Sequence, residues 1–213
     1  MSKHPFDRTE QVYKNDTFAE LIKDAIRFFN GTPVHQLPLQ NRFTGSGVYA
    51  LYYTGDNPLY TRLAQLNRLS YAVPIYVGKA VPRGWRQSRV SDNNLRQSNE
   101  LHSRISEHTR NISIGNGLDV ANFACRFVIF EAEGSDMIST VEASLIKLFH
   151  PLWNSTVDGF GNHTPGSGRF EQAKSDWDVI HTGRGFADRC KGVPKDSATI
   201  LKNIEIHFER YHS

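Results

Sequence analysis

The sequence predicts an α+β fold, with a small antiparallel sheet of about three core strands flanked by helices. Two observations predict it. Three short runs, 46–54, 73–79 and 122–130, are rich in aromatic and β-branched residues, as half-buried strands are. The segments 100–110 and 137–149, which follow the second and third runs, carry apolar residues at helical spacing. The resulting order of strand, strand, helix, strand, helix suits a sheet covered by helices.

Asp16-Thr17 opens a first helix: Thr17 and Glu20 have capping-box spacing, Phe18, Leu21, Ile22, Ala25, Ile26 and Phe29 form an apolar stripe, and Asn30-Gly31 ends it. In the first strand Gly47, Tyr49, Leu51 and Tyr53 share a face. A long connection, 55–72, leads to the second strand, where Tyr76 and Gly78 face one way and Ile75 and Val77 the other. A polar, Arg-rich loop then runs to Asn99. In the helix after it Leu101 and Ile105 mark the buried side, with Arg104 and His108 beside them at i, i+4. The apolar third strand is followed by a helix from Met137 to Phe149, stopped by His150-Pro151. Residues 155–168 read as a Gly-, Thr- and Pro-rich loop, and a last helix, 197–211, turns Ile200, Leu201, Ile204 and Phe208 inward. No linker or internal repeat divides the chain, so residues 1–213 read as one domain.

Composition narrows the function. The 213 residues carry a net charge of +3, yet residues 79–110 alone hold seven Lys and Arg against three acidic residues. Such a stretch is either a solvated loop or a surface that releases counterions from a phosphate backbone. Six of the seven are arginine, the better partner for phosphate and guanine. Cys125 and Cys190 form neither a zinc motif nor a disulfide framework. No apolar run approaches a membrane span, and the polar N-terminus has no signal-peptide core, so a cytoplasmic location with no membrane partner is expected. There is no phosphate-binding G-x-x-x-x-G-K-[ST] loop. Gly166-Ser167-Gly168 lacks the strand-to-helix setting of a nucleophile elbow, and Asn162-His163 is a fragment of an HNH site without supporting ligands.

Glu142 is the most informative position. It lies four residues after Ile138 and three before Leu145, inside the stripe formed with Val141, Leu148 and Phe149. A carboxylate there needs a cationic partner, either a buried ion pair or a metal ion, and the helix alone does not distinguish them. Arg104 and His108 offer a fixed cation and a titratable imidazole, capable of stabilising a phosphate and moving a proton, although such a pair is more often plain surface. Tyr49 and Tyr76 each lie on a strand face with a glycine, where tyrosine most often serves packing.

In order, Gly47-Val48-Tyr49, Tyr76-Val77-Gly78-Lys79, helical Arg104, helical Glu142 and Asn154 resemble the ordered motif of the GIY-YIG nuclease family, with valine for isoleucine in both tripeptides. The resemblance covers a catalytic core of about 47–154, with an inserted DNA-binding loop of about 80–99. This chain differs in its longer gaps between the tripeptides and before Arg104, and in His108, where many relatives place tyrosine. The resemblance implies that Glu142 holds one Mg²⁺ (Mn²⁺ able to substitute) and that Tyr49 is the general base, its phenolate favoured by Lys79. It further implies that His108 relays the proton, that Arg104 neutralises phosphate charge, and that Tyr76 and Asn154 position water, phosphate or metal ligands.

Loops inserted into the core itself resemble the type II restriction-enzyme branch of the family, and specifically an enzyme that recognises CCGCGG. This implies double-stranded DNA as substrate and a homodimer on a palindromic, G·C-rich site. Arg83, Arg86 and Arg89 are the first candidates for DNA contact, then Arg96, Arg169 and Arg184. Two rivals stand beside this reading: a structure-specific repair or recombination nuclease, and a non-catalytic nucleic-acid-binding module of the same fold.

Overall fold

A computed structural model describes residues 6–82, 98–162 and 170–211. The fold is α+β as expected, and among the described residues the antiparallel sheet has four strands, the three expected and one short edge strand. They are β1 (Val34–Gln36), β2 (Ser46–Tyr53), β3 (Tyr76–Ala80) and β4 (Phe123–Phe130), in the order β1-β4-β2-β3. The additional strand, β1, pairs Val34 with Arg126 and Gln36 with Ala124. With three residues it is too short to show an alternating pattern.

Among the described residues seven α-helices surround the sheet: α1 (Asp16–Gly31), α2 (Thr61–Asn67), α3 (Glu100–Ile114), α4 (Ile138–Phe149), α5 (Leu152–Ser155), α6 (Asp176–Ile180) and α7 (Ser197–Glu209). Helix α2 and a short 3-10 turn, Pro58–Tyr60, fill most of the long connection between β2 and β3. The cap of α1 is Asn15, whose side chain accepts from the Phe18 amide, rather than the Thr17/Glu20 box. Its stripe is also only partly used, because Phe18 and Leu21 are exposed while Phe29 is buried. Leu148 and Leu201 likewise face outward. Helix α4 ends as expected, with His150 in the left-handed conformation before Pro151.

Strand β2 lies between β3 and β4, and all eight of its residues are buried. Alternation divides it between two cores. Tyr49, Leu51 and Tyr53 pack with Leu101, Ile105 and Ile112 of α3 and with Trp153, while Val48, Ala50 and Tyr52 pack under α1 and α4 through Phe29, Val141 and Leu145. Each fully buried Leu or Ile contributes roughly 1.5–3 kcal/mol, so the apolar stripes of α3 and α4 hold both helices against the sheet. That placement brings Arg104 and Glu142 to the same edge of the sheet.

A buried polar relay ties later segments to the first of these cores. His181 Nδ1 lies 2.9 Å from the Asn116 carbonyl, which can only accept, so the proton is on Nδ1 and Nε2 accepts from the Tyr60 hydroxyl. Tyr60 in turn accepts from Trp153 Nε1 at 3.2 Å. Burial pushes the His181 imidazole down from 6.5 to about 4. Between pH 6.5 and about 4 the unfolded chain therefore binds a proton that the folded chain does not, and stability falls as pH falls through that range. From this group a loss of about 2 kcal/mol is expected between pH 7 and pH 5. Urea midpoints at the two pH values check it, and a His181→Asn protein should show the flatter dependence.

Candidate active site

The site forms where β2, β3, α3 and the turn at 159–162 meet. Tyr49 and Gly78 are direct cross-strand partners. A Cβ on Gly78 would lie 2.4 Å from the Tyr49 hydroxyl, so only glycine lets that phenol pass over β3. Tyr76, two residues before Gly78, points to the same face, with its ring centroid 6.2 Å from that of Tyr49. From α3, His108 is fully buried, and its Nε2 lies 2.6 Å from the Tyr49 hydroxyl.

Arg104, one helical turn before His108, is the hub. Its Nη1 is 2.6 Å from Glu107 Oε2 and its Nη2 donates to the Gly161 carbonyl at 2.7 Å. Its charge also acts on the hydroxyls of Tyr49 and Tyr76, favouring their ionised forms. The structure thus brings Tyr49, Tyr76, Arg104 and His108 into one cluster, roofed by Phe160, whose ring stacks on His108 at 4.6 Å and 20°.

Glu142 stands at the rim, its side chain 18% exposed, with Lys79 Nζ 2.6 Å from Oε2. Its charge is felt by both phenols. Burial raises the Tyr49 pKa well above its ordinary value, Tyr76 and Glu142 add to the rise, and Arg104 opposes it. Tyr76 is also raised, first by burial and then by Glu142 against Arg104. The expectation that Lys79 stabilises a Tyr49 phenolate is therefore corrected. Lys79 pairs across the sheet with Val48 rather than Tyr49, and its ammonium is engaged with Glu142 on α4.

Asn154 also has a different place from the one expected. Its Oδ1 accepts from the Val77 amide at 2.7 Å and its Nδ2 donates to the Val77 carbonyl at 2.8 Å, so the side chain closes the outer edge of β3. Both amide groups thereby hold β3 in place. Arg184 is corrected as a DNA contact: it is 2% exposed, and its Nε is 2.6 Å from Asp178 Oδ1. Arg83, Arg86, Arg89, Arg96, Arg169 and His163 lie outside the described residues. Sequence reasoning missed Glu107, Phe160 and Gly161, which touch the cluster. The glycines flanking Phe160 in Gly159-Phe160-Gly161 were the one available signal.

Among the described residues no group of three or more His, Cys, Asp or Glu stands together as a metal site. A single rim carboxylate does fit Mg²⁺, which keeps several waters and is commonly held by one or two carboxylates plus substrate phosphate. Its hardness matches the oxygen donor, and the position of Lys79 shows that a cation is accommodated there.

Chemically, the cluster offers a cation for a phosphate, a hydroxyl–imidazole pair for a proton, and a carboxylate for a metal ion. No described helix is long and apolar enough to cross a membrane. No curated protein matches the chain. A family model described as the Eco29kI GIY-YIG domain matches residues 41–208, well over half of the sequence and the whole of the cluster described above, and on that match the chain belongs to this family of GIY-YIG nucleases.

Proposed function

We propose that the protein is a type II restriction endonuclease that hydrolyses double-stranded DNA with Mg²⁺ at a palindromic, G·C-rich site, as a homodimer in the cytoplasm, one domain spanning the chain. The observation that carries this reading is the meeting of Arg104, Tyr49, Tyr76 and His108 in one cluster, with Glu142 at its rim. A module that only bound nucleic acid would have no use for a buried Tyr–His pair beside an arginine. The match to the Eco29kI-type domain favours the restriction branch over a repair nuclease, and CCGCGG is the site to try first. The Arg-rich stretch around Arg83, Arg86, Arg89 and Arg96, with Arg169, is proposed as the DNA-contacting surface.

Mg²⁺ held by Glu142 would supply Lewis-acid stabilisation of charge at the phosphate and the leaving 3′-oxygen, and Mn²⁺ would substitute. The chain's own residues do the rest. Arg104 meets phosphate charge from the opposite side. Tyr49 takes a proton from the attacking water as it passes its own to His108 Nε2, 2.6 Å away. A free phenolate, which burial disfavours, then never accumulates. Tyr76 helps hold Arg104 and Tyr49 in register, and Asn154 fixes β3 beneath them.

If Tyr49 and His108 act as one relay, their losses do not add. Tyr49→Phe and His108→Ala are each expected to slow single-turnover cleavage by roughly 10²–10⁴-fold. The double variant should be about as slow as the slower single one. Multiplicative losses would mean that the two act separately. The restriction reading itself is tested by sequencing the ends of plasmid fragments. One palindromic site at every end supports it, whereas cutting confined to branched DNA would favour the repair nuclease.

A further inference from the structure

Arg184 is the largest buried charge that the mechanism leaves unused, and its surroundings lead back to the site. Its Nε donates to Asp178 Oδ1 at 2.6 Å, its Nη2 to the Gly159 carbonyl at 2.9 Å, and its Nη1 to the carbonyls of Phe160 at 3.1 Å and Asn162 at 3.4 Å. The guanidinium lies over the Trp177 ring, 4.5 Å from its centroid. Asp178 is held in turn by the Ser175 hydroxyl, which donates to Oδ2 at 2.7 Å. The turn gripped by Arg184 is the one whose other side touches the cluster. Phe160 stacks on His108, and the Gly161 carbonyl accepts from Arg104. Gly161 lies so close to Tyr76 that a Cβ would be 2.5 Å from the phenol oxygen.

We propose that Arg184, locked to Asp178, is a positioning residue that sets the orientation of Arg104 and His108 through the backbone of residues 159–162. Only a planar fork of donors spans one carboxylate and three carbonyls at once, so lysine cannot replace it. A buried ion pair of this kind adds little stability over apolar packing, and its contribution here is a defined turn geometry. The inference rests on the nuclease reading for its kinetic arm only.

The test uses the full chain carrying Arg184→Lys or Asp178→Asn. Arg184→Lys is expected to slow single-turnover cleavage by about 10²-fold, since an ångström of misplacement costs that much. Asp178→Asn should lose less, because the amide oxygen still accepts from Arg184. The Kd for the same duplex should be unchanged in both. The ring-proton NMR signals of His108 should move from their wild-type positions as the face of Phe160 shifts, while amide signals of β1 and α1 stay in place. Both variants cutting at the wild-type rate would overturn the inference. So would a rate loss that follows the unfolded fraction while the His108 signals of the folded molecules stay fixed. If Arg184→Lys fails to fold, Asp178→Asn decides alone, and an unchanged rate with unmoved His108 signals rejects the positioning role. If the wild type cuts no DNA, the nuclease reading fails, and movement or constancy of the His108 signals still decides whether Arg184 orients that ring.

Discussion

Replacing Glu142 with glutamine is expected to slow DNA cleavage by at least about 10³-fold, the kinetic equivalent of several kcal/mol of lost metal-ion stabilisation, while leaving DNA binding and folding in place. The substitution keeps size and an acceptor for Lys79 Nζ, so the 2.6 Å contact at the rim of α4 loses its charge rather than its geometry. Removing the carboxylate also removes a negative charge that raises the pKa of both Tyr49 and Tyr76. A structural ion pair would therefore make the variant less stable and otherwise active. A metal ligand would make it stable and inactive. Single-turnover rates with Mg²⁺, beside thermal melting and duplex binding, distinguish these results, and a variant cutting within tenfold of wild type would remove Glu142 from the metal site.

Arg104→Ala is expected to cost roughly 10²–10³-fold in the same rate, as loss of a preorganised charge at the phosphate does. Glu107, the Gly161 carbonyl and the two phenols all converge on this guanidinium, so it stands ready before DNA arrives. Alanine also removes the 2.6 Å contact between Arg104 Nη1 and Glu107 Oε2. Arg104→Lys separates the two effects. It restores the charge but not the fork, and most of the loss should remain, because a single ammonium nitrogen cannot span the positions that Nη1 and Nη2 occupy at Glu107 and Gly161 and also reach a phosphate oxygen. Full recovery by lysine would mean that only the net charge at this position matters.

Local pattern makes part of the fold and of the site legible in the sequence. Strand β2 declares itself through its aromatic and β-branched run, and α3 and α4 through apolar spacing, which also exposes Glu142 as a carboxylate inside a buried stripe. What the sequence hides depends on contacts between distant segments. Strand β1 exists because Val34–Gln36 has β4 to pair with, some 90 residues on. Asn154 looks like any polar residue after a helix until its amide is seen closing β3 at Val77. Arg184 is chemically the same as the arginines read as DNA contacts, and only Trp177, Asp178 and the turn at 159–162 make it a buried clamp. Lys79 was decidable from the sequence: two-residue alternation places Tyr76 and Gly78 on the face of Tyr49 and leaves Lys79 on the opposite one.

Metal-dependent cleavage of DNA by this cluster is tested by incubating the wild-type protein with supercoiled plasmid in Mg²⁺ beside an EDTA control. Discrete linear fragments that appear with Mg²⁺ and vanish with EDTA are the predicted result. Plasmid that is bound tightly but stays intact across a range of divalent metals would contradict it, and would leave a nucleic-acid-binding protein that keeps the geometry of the nuclease without its chemistry.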